Sequence, residues 1–300
     1  MKKIFRTLPP LQWCSLLFAA FAAILQTLAM LFCYEKEINH FSQGSILPIL
    51  ALVCLGLSIV AGIIAALIPQ KAELAHTVFS SKRTFPLPAF GFALLTDILL
   101  FCLISTAIDL WQIAPTGEFF LQSFLSTNNK IAVPAIPFLI LAVIYYFLLA
   151  IPTQRKKETL VTLLGFGAVA ACMLLTIYLY FDMSVLMTAP AKTFLQAGLL
   201  SAMIFITGEL RYLLGRQIPR LFSVCSTLLL ATGSISAISI PVAFFCQKLP
   251  RADYLACSLL LLSMIPHAMI CLIRLYRKPA DISNQQEPIS QQDDSERNSL

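Results

Sequence analysis

Eight apolar stretches, each about 20 residues long and nearly free of charge, follow one another along this chain of 300 residues. They run roughly from Leu11 to Cys33, Ile46 to Ile68, Ala89 to Trp111, Ile131 to Ile151, Leu160 to Phe181, Thr193 to Leu214, Leu221 to Cys246 and Tyr254 to Leu275. At about 1.5 Å of rise per residue, each is long enough as a helix to cross the ~30 Å hydrocarbon layer. No water is available there to bond exposed N–H and C=O groups, so only helices and closed barrels can span it. Barrel strands alternate apolar and polar residues, whereas these runs are continuous. The expected fold is all-α, a polytopic transmembrane bundle of eight helices occupying residues 1–278. Prolines (Pro10, Pro69, Pro88, Pro115, Pro152, Pro190, Pro219, Pro250, Pro279) stand near most of the expected ends, where a missing N–H costs least.

Composition agrees: 58% of residues are apolar and 12% charged. The longest interval between runs, Pro69 to Pro88, holds 20 residues, which leaves no room for a soluble catalytic domain. From Pro279 to Leu300 the chain turns to Gln, Ser, Asn, Asp and Glu. Such a segment buries too little apolar surface to offset its ordering entropy, so residues 279–300 read as a disordered polar tail.

Orientation follows from the cations. Of 21 Lys and Arg, 16 fall on the side of the two termini and 5 (Lys36, Lys130, Lys192, Lys248, Arg251) on the other. Basic loops stay in the cytoplasm, so both termini are expected there. The net charge of +6 is then a topology signal and not a nucleic-acid footprint. The basic start and Ala20-Phe-Ala22 mimic a signal peptide, but the cleavage-like triplet lies inside the first run, which reads as a retained helix.

Nine cysteines lie in or beside apolar runs without a CxxC or a His-paired metal spacing, so they read as small hydrophobes, and no metal or other cofactor is expected. Small residues mark packing seams: Ser58, Gly62 and Ala66; Gly167 and Ala171; Gly198 and Ala202; Gly233 and Ala237. The seventh run, with Ser226, Thr227, Thr232, Ser234, Ser236, Ser239 and Pro241, is expected at the centre of the bundle.

Ionisable residues inside a bilayer are the default functional candidates. Asp97 in the third run, Glu209 in the sixth and His267 in the eighth fall at similar depth on the cytoplasmic half. Two carboxylates and an imidazole at one level suit a proton relay or a binding site for a cation or protonated solute. Arg211 is two residues from Glu209 and projects to the other side of the helix, so the two are not a pair. Ser263, His267 and Cys271 form one polar stripe at i, i+4, i+8. Tyr145 and Tyr146 lie deep in the fourth run and need partners for their hydroxyls. No nucleotide-binding, dinucleotide-binding or common hydrolytic motif occurs.

The stretch Tyr178-Leu-Tyr-Phe-Asp-Met-Ser to Gly208-Glu-Leu-Arg-Tyr-Leu-Leu-Gly-Arg216 and Pro219-Arg220, with Gly44-Ser-Ile-Leu-Pro48, resembles a group of uncharacterised polytopic membrane proteins of anaerobic Gram-positive bacteria. The resemblance implies the bacterial cytoplasmic membrane and brings no assigned activity. The Gly-Glu-Leu…Gly-Arg segment is also similar to one in eight-helix anchor subunits of molybdenum oxidoreductases. The first expectation is a non-enzymatic membrane component acting through partners: the lipid bilayer, and a membrane protein or a second copy of the chain. The alternatives are a small-solute or ion permease using Asp97, Glu209 and His267, and a quinone- or redox-linked anchor.

Overall fold

The computed structural model describes residues 8–67, 86–113, 117–151, 158–216 and 218–276. The segment holding Lys71 and Lys82, the basic residues 155–157 and the polar tail lie outside them. Among the described residues there are nine helices: α1 (Pro10–Phe32), α2 (Ile46–Leu67), α3 (Leu87–Ile113), α4 (Gly117–Phe124), α5 (Thr127–Ala150), α6 (Glu158–Phe181), α7 (Pro190–Leu213), α8 (Pro219–Phe245) and α9 (Ala252–Leu275). All but α4 are long and apolar enough to cross a membrane, so the chain is a multi-pass integral membrane protein. The expected runs differ from the helices by a few residues at most.

Local chemistry explains the ends. Pro10, Pro190 and Pro219 open α1, α7 and α8, where the fixed φ suits a first turn and no N–H is lost from the ladder. Gly215, at φ 75°, ends α7: its N–H bonds Tyr212 O and the next N–H, of Arg216, bonds Arg211 O, the paired closure of a Schellman turn. Gln247, at φ 57°, does the same after α8. Two small elements were not foreseen: α4, and a two-stranded ribbon between α1 and α2 pairing Tyr34 with Phe41 and Glu35 with His40. Both are too short to register in a hydropathy pattern.

Two groups of helices share the core. α1, α2 and α8 pack as a triangle, while α3, α5, α6, α7 and α9 close a ring; α8 joins the two by packing on α7 and α9. The serine- and threonine-rich α8 is the most buried span. Its hydroxyls close back onto carbonyls of their own helix, Thr227 onto Ser223 O and Ser239 onto Ile235 O among them, and three cross between helices: Gln12 Nε2 donates to Thr227 Oγ1 at 2.7 Å, Thr232 Oγ1 to Ser201 Oγ at 2.7 Å, and Ser223 Oγ lies 2.8 Å from Tyr276 Oη. Hydroxyls used this way satisfy polar groups that lipid cannot. Ser15 and Ser58 each donate to the other's carbonyl, at 2.7 and 2.8 Å, and tie α1 to α2.

The small residues lie where helices come closest. A Cβ on Gly198 of α7 would stand 3.6 Å from the Cα of Gly233 on α8, and one on Gly167 of α6 would stand 2.7 Å from Leu141 of α5. Gly91 packs α3 onto α9, where an added Cβ would meet Ser263 and the Leu260 backbone. This seam fixes the rotation of α3, turning Ala89, Phe92, Leu95, Thr96 and Leu99 inward.

Candidate functional site

Three parallel helices, α5, α7 and α9, end on the same side of the bundle and carry a buried polar cluster near those ends. Glu209 lies four residues before the end of α7, Tyr146 four before the end of α5 and His267 eight before the end of α9, or about 6 to 12 Å inside the helix ends. His267 Nε2 is 2.5 Å from Glu209 Oε1, and Tyr146 Oη donates to Glu209 Oε2 at 3.1 Å. Cys271, one turn after His267, places its sulfur 3.8 Å from the same nitrogen. The Glu209 side chain is fully buried and His267 is 4% exposed.

Aromatic rings wall the cluster. Phe92 of α3 stacks on Tyr146 with ring centroids 5.8 Å apart, and the His267 ring meets Tyr146 and Phe205 edge-on at 5.6 and 5.9 Å. Tyr145 lies on the Glu209 side of the cluster, but its buried hydroxyl closes no hydrogen bond of ordinary geometry. A buried carboxylate with no counter-charge is strongly destabilising, whereas one sharing a proton with imidazole and accepting a phenol O–H is satisfied. The pair can therefore hold one proton on either group, gain a second, or lose the first, with Tyr146 orienting the carboxylate throughout.

Each of the two residues has a backbone-softening neighbour. Gly208 precedes Glu209 and brings α7 close to α8, since a Cβ there would lie 3.0 Å from Phe222. Pro266 precedes His267 inside α9, removing one rung of the helix ladder beside the imidazole.

Among the described residues, Glu209, His267 and Cys271 are also the group that offers a metal one oxygen, one nitrogen and one sulfur, all within 4.8 Å of one another. An ion ligated at about 2 Å by both nitrogen and oxygen would hold those atoms farther apart than the 2.5 Å they keep. As arranged, the site fits a proton.

The other residues singled out in the sequence lie elsewhere. Asp97 does not join Glu209 and His267: the face of α3 carrying Phe92, Leu95 and Leu99 is the one turned inward, and Asp97 is exposed on the opposite face. Arg211 is exposed near the end of α7 and makes no bond to Glu209. Ser263 donates to Leu260 O at 2.7 Å and rests against Gly91, so of the stripe on α9 only His267 and Cys271 reach the cluster. Tyr146 is the partner that Glu209 needed, and depth along the fourth run already pointed to it.

A second polar cluster, at the other end of the bundle, was not legible in the sequence. Arg251 Nη2 bonds Asp182 Oδ2 at 3.0 Å and Asp253 Oδ2 at 2.7 Å, and Arg251 Nη1 also bonds Ser184 Oγ. Tyr254 Oη donates to Asp182 at 3.0 Å and Tyr178 Oη to Asp253 at 3.2 Å. The buried Lys192 ammonium donates to the carbonyls of Asp182 at 2.7 Å and Val185 at 3.4 Å. Burial pushes the Asp182 carboxyl upward, but bonds from the Ser184 hydroxyl and N–H, the Arg251 charge and the Tyr254 hydroxyl outweigh it and hold it below the ordinary value. The bond to Asp253, against the opposing effect of burial, raises Arg251. The pairs that join the 182–190 turn to Arg251 and Tyr254, and Tyr178 to Asp253, lie about 70 residues apart in sequence, and nothing local announces them. Arg251 pairs with both carboxylates, which makes the cluster a clamp joining the 182–190 turn to the start of α9.

Comparison with protein-family models, with curated proteins and with solved structures finds no match to this chain.

Proposed function

We propose that the protein is a permease that couples movement of a small solute or ion to a proton carried by Glu209 and His267. The observation that carries this reading is the 2.5 Å contact between a fully buried carboxylate and a buried imidazole on two different membrane-spanning helices. Ionisable groups at such depth are costly and mark relays and coupling sites. Gly208 and Pro266, beside the two residues, supply the local freedom that parting them requires. When α7 and α9 separate, each group loses its partner and its proton affinity changes, and this exchanges binding of a proton for binding of a solute. The Lys and Arg count supports placing the site toward the cytoplasm.

The test is purified protein in liposomes enclosing a pH-sensitive dye, with a potassium-diffusion potential imposed and sugars, amino acids and monovalent cations offered outside in turn. The expected result is proton flux that depends on one class of solute and is abolished by Glu209→Gln. Flux no greater than in protein-free vesicles for every class, or unchanged in a folded Glu209→Gln protein, overturns the reading. A second reading, a non-enzymatic component that acts through a partner, is favoured by one observation, the position of Asp97.

A further inference from the structure

α3 presents two faces of opposite character. Phe92, Leu95 and Leu99 turn toward the ring, and α3 packs through this face on α5 and α9. Phe90, Leu94, Asp97, Phe101, Ile104, Ile108 and Trp111, three or four residues apart, form the outer stripe, with Phe101 70% and Trp111 58% exposed. Every member of that stripe except Asp97 is a large apolar side chain of the kind lipid accepts.

Among the described residues, Asp97 has no hydrogen-bond partner and no ion-pair partner. Its neighbours one turn away on α3 are Ala93, Leu94, Leu100 and Phe101, so its own helix offers no counter-charge. It is 10 residues from Leu87 and 16 from Ile113, about 15 and 24 Å from the helix ends. A side chain with one methylene cannot reach the headgroups from there, as a long Lys or Arg side chain can. A lone carboxylate facing hydrocarbon at that depth is unfavourable unless another chain covers it.

The chemistry of that covering chain follows from the cations. The described cations in or beside the spans are Lys130, Arg211, Arg216, Arg220, Lys248 and Arg274, at or beyond helix ends, and Lys192 and Arg251, held in the cluster with Asp182. Arg211 is two residues from the end of α7 whereas Asp97 is 10 from the matching end of α3, a mismatch in depth of about 12 Å. A second copy of these spans thus brings no cation to the level of Asp97. We infer that the outer face of α3 is a docking surface for a transmembrane helix of a different protein, one that carries a Lys or Arg within its apolar core at the depth of Asp97. Leu94 and Phe101 flank the charge and supply the apolar contact on either side, so the pair is shielded from water and specific in register. This inference is independent of the Glu209–His267 reading and deepens only the partner reading.

The experiment uses the full chain, labelled with a donor fluorophore and co-reconstituted in phosphatidylcholine vesicles with acceptor-labelled leucine-rich transmembrane peptides. One peptide has Lys at its centre, one has Lys a turn from its end, and one has none. The expected result is association with the central-Lys peptide about tenfold stronger than with either other peptide, reduced to their level by Asp97→Leu. Because Asp97 holds no partner among the described residues, Asp97→Leu should melt at or above the wild-type temperature, so the loss is not a folding defect. Equal association with all three peptides, or retention by Asp97→Leu, overturns the inference. Self-association of the chain that Asp97→Leu abolishes also overturns it, by assigning the face to a second copy. Proton flux that survives in Asp97→Leu while peptide binding is lost separates this surface from the site in the ring.

Discussion

His267 Nε2 and Glu209 Oε1 stand 2.5 Å apart across α9 and α7, 58 residues distant in sequence. Glu209 is fully buried and His267 nearly so, so each replaces the water that the other has lost. The contact therefore works in both directions: it permits a carboxylate and an imidazole inside the bundle, and it makes the loss of either severe.

Removing one partner should cost about 3–5 kcal/mol of stability, because the other is left buried and unmatched. Glu209→Ala and His267→Ala are each expected to show this, with the double variant less damaged than the sum by about 0.5–3 kcal/mol. Denaturant titration in detergent micelles reads the cycle. Strict additivity would mean that the two groups do not support one another.

Tyr146→Phe deletes one hydroxyl and leaves its stack on Phe92 in place. A bond donated to a carboxylate is worth about 1.5–3 kcal/mol, and one to a neutral acceptor nearer 1 kcal/mol. The variant should lose the larger amount in the wild-type background and the smaller in Glu209→Gln. Equal losses would show that Glu209 carries its own proton in the resting protein.

Acid should loosen the Asp182–Arg251 clamp. The folded carboxyl is held below its ordinary value, so its contribution is fully present above the unfolded value of about 3.9 and is lost as pH falls through the folded value. Thermal melts between pH 6 and pH 3 should fall most steeply below about pH 4, and Asp182→Asn should flatten that slope. At the alkaline end, burial pushes the Tyr34 hydroxyl up to about 12. Its neutral form contributes fully below the unfolded value of about 10, and that contribution is lost as pH rises through the folded value.

Glycine substitutions should rank by what the new Cβ meets. At Gly198 the nearest atom is the tip of Leu261, 2.6 Å away, which can rotate aside. At Gly91 the Cβ of Ser263 at 2.8 Å and the Cα of Leu260 at 3.2 Å cannot. Gly91→Ala is expected to cost about 1–3 kcal/mol and Gly198→Ala less. Melting temperatures give the order, and the reverse order would mean that α3 and α9 are not packed at this seam.

Gln247→Gly should stabilise. The residue sits at φ 57°, a conformation costing a non-glycine residue about 1–2 kcal/mol. Part of the gain is offset by the freedom glycine adds to the unfolded chain. A melting temperature below wild type would contradict the assignment of this turn.

Span identity was legible in the sequence and azimuth was not. Counting along each run placed Asp97, Glu209 and His267 at comparable levels, whereas they lie 10, 4 and 8 residues inside the matching ends of α3, α7 and α9. Which way a residue points depends on the rotation of its helix, and the spans are apolar nearly all round, so no amphipathic stripe announced that Asp97 faces outward while Phe92 faces in. The small-residue seams were the better guide, because close approach requires them whatever surrounds them. Gly91, which sets the rotation of α3 against Ser263, stood outside the seams read from the sequence. The Asp182–Arg251 clamp joins an interhelical turn to the start of α9 and has no spacing to read.

The placement of α8 and α9 bears on how the protein is made. Gln12, Ser201 and Glu209 are all synthesised before residue 219, and each finds its interhelical partner in the last two spans: Thr227, Thr232 and His267. A chain cut short before α8 would leave the Gln12 amide without Thr227, Ser201 with only a carbonyl of its own helix, and Glu209 with only the Tyr146 hydroxyl. The last two spans thus complete the bonding of polar residues inserted earlier, and a finished chain conceals groups that an unfinished one leaves short of partners.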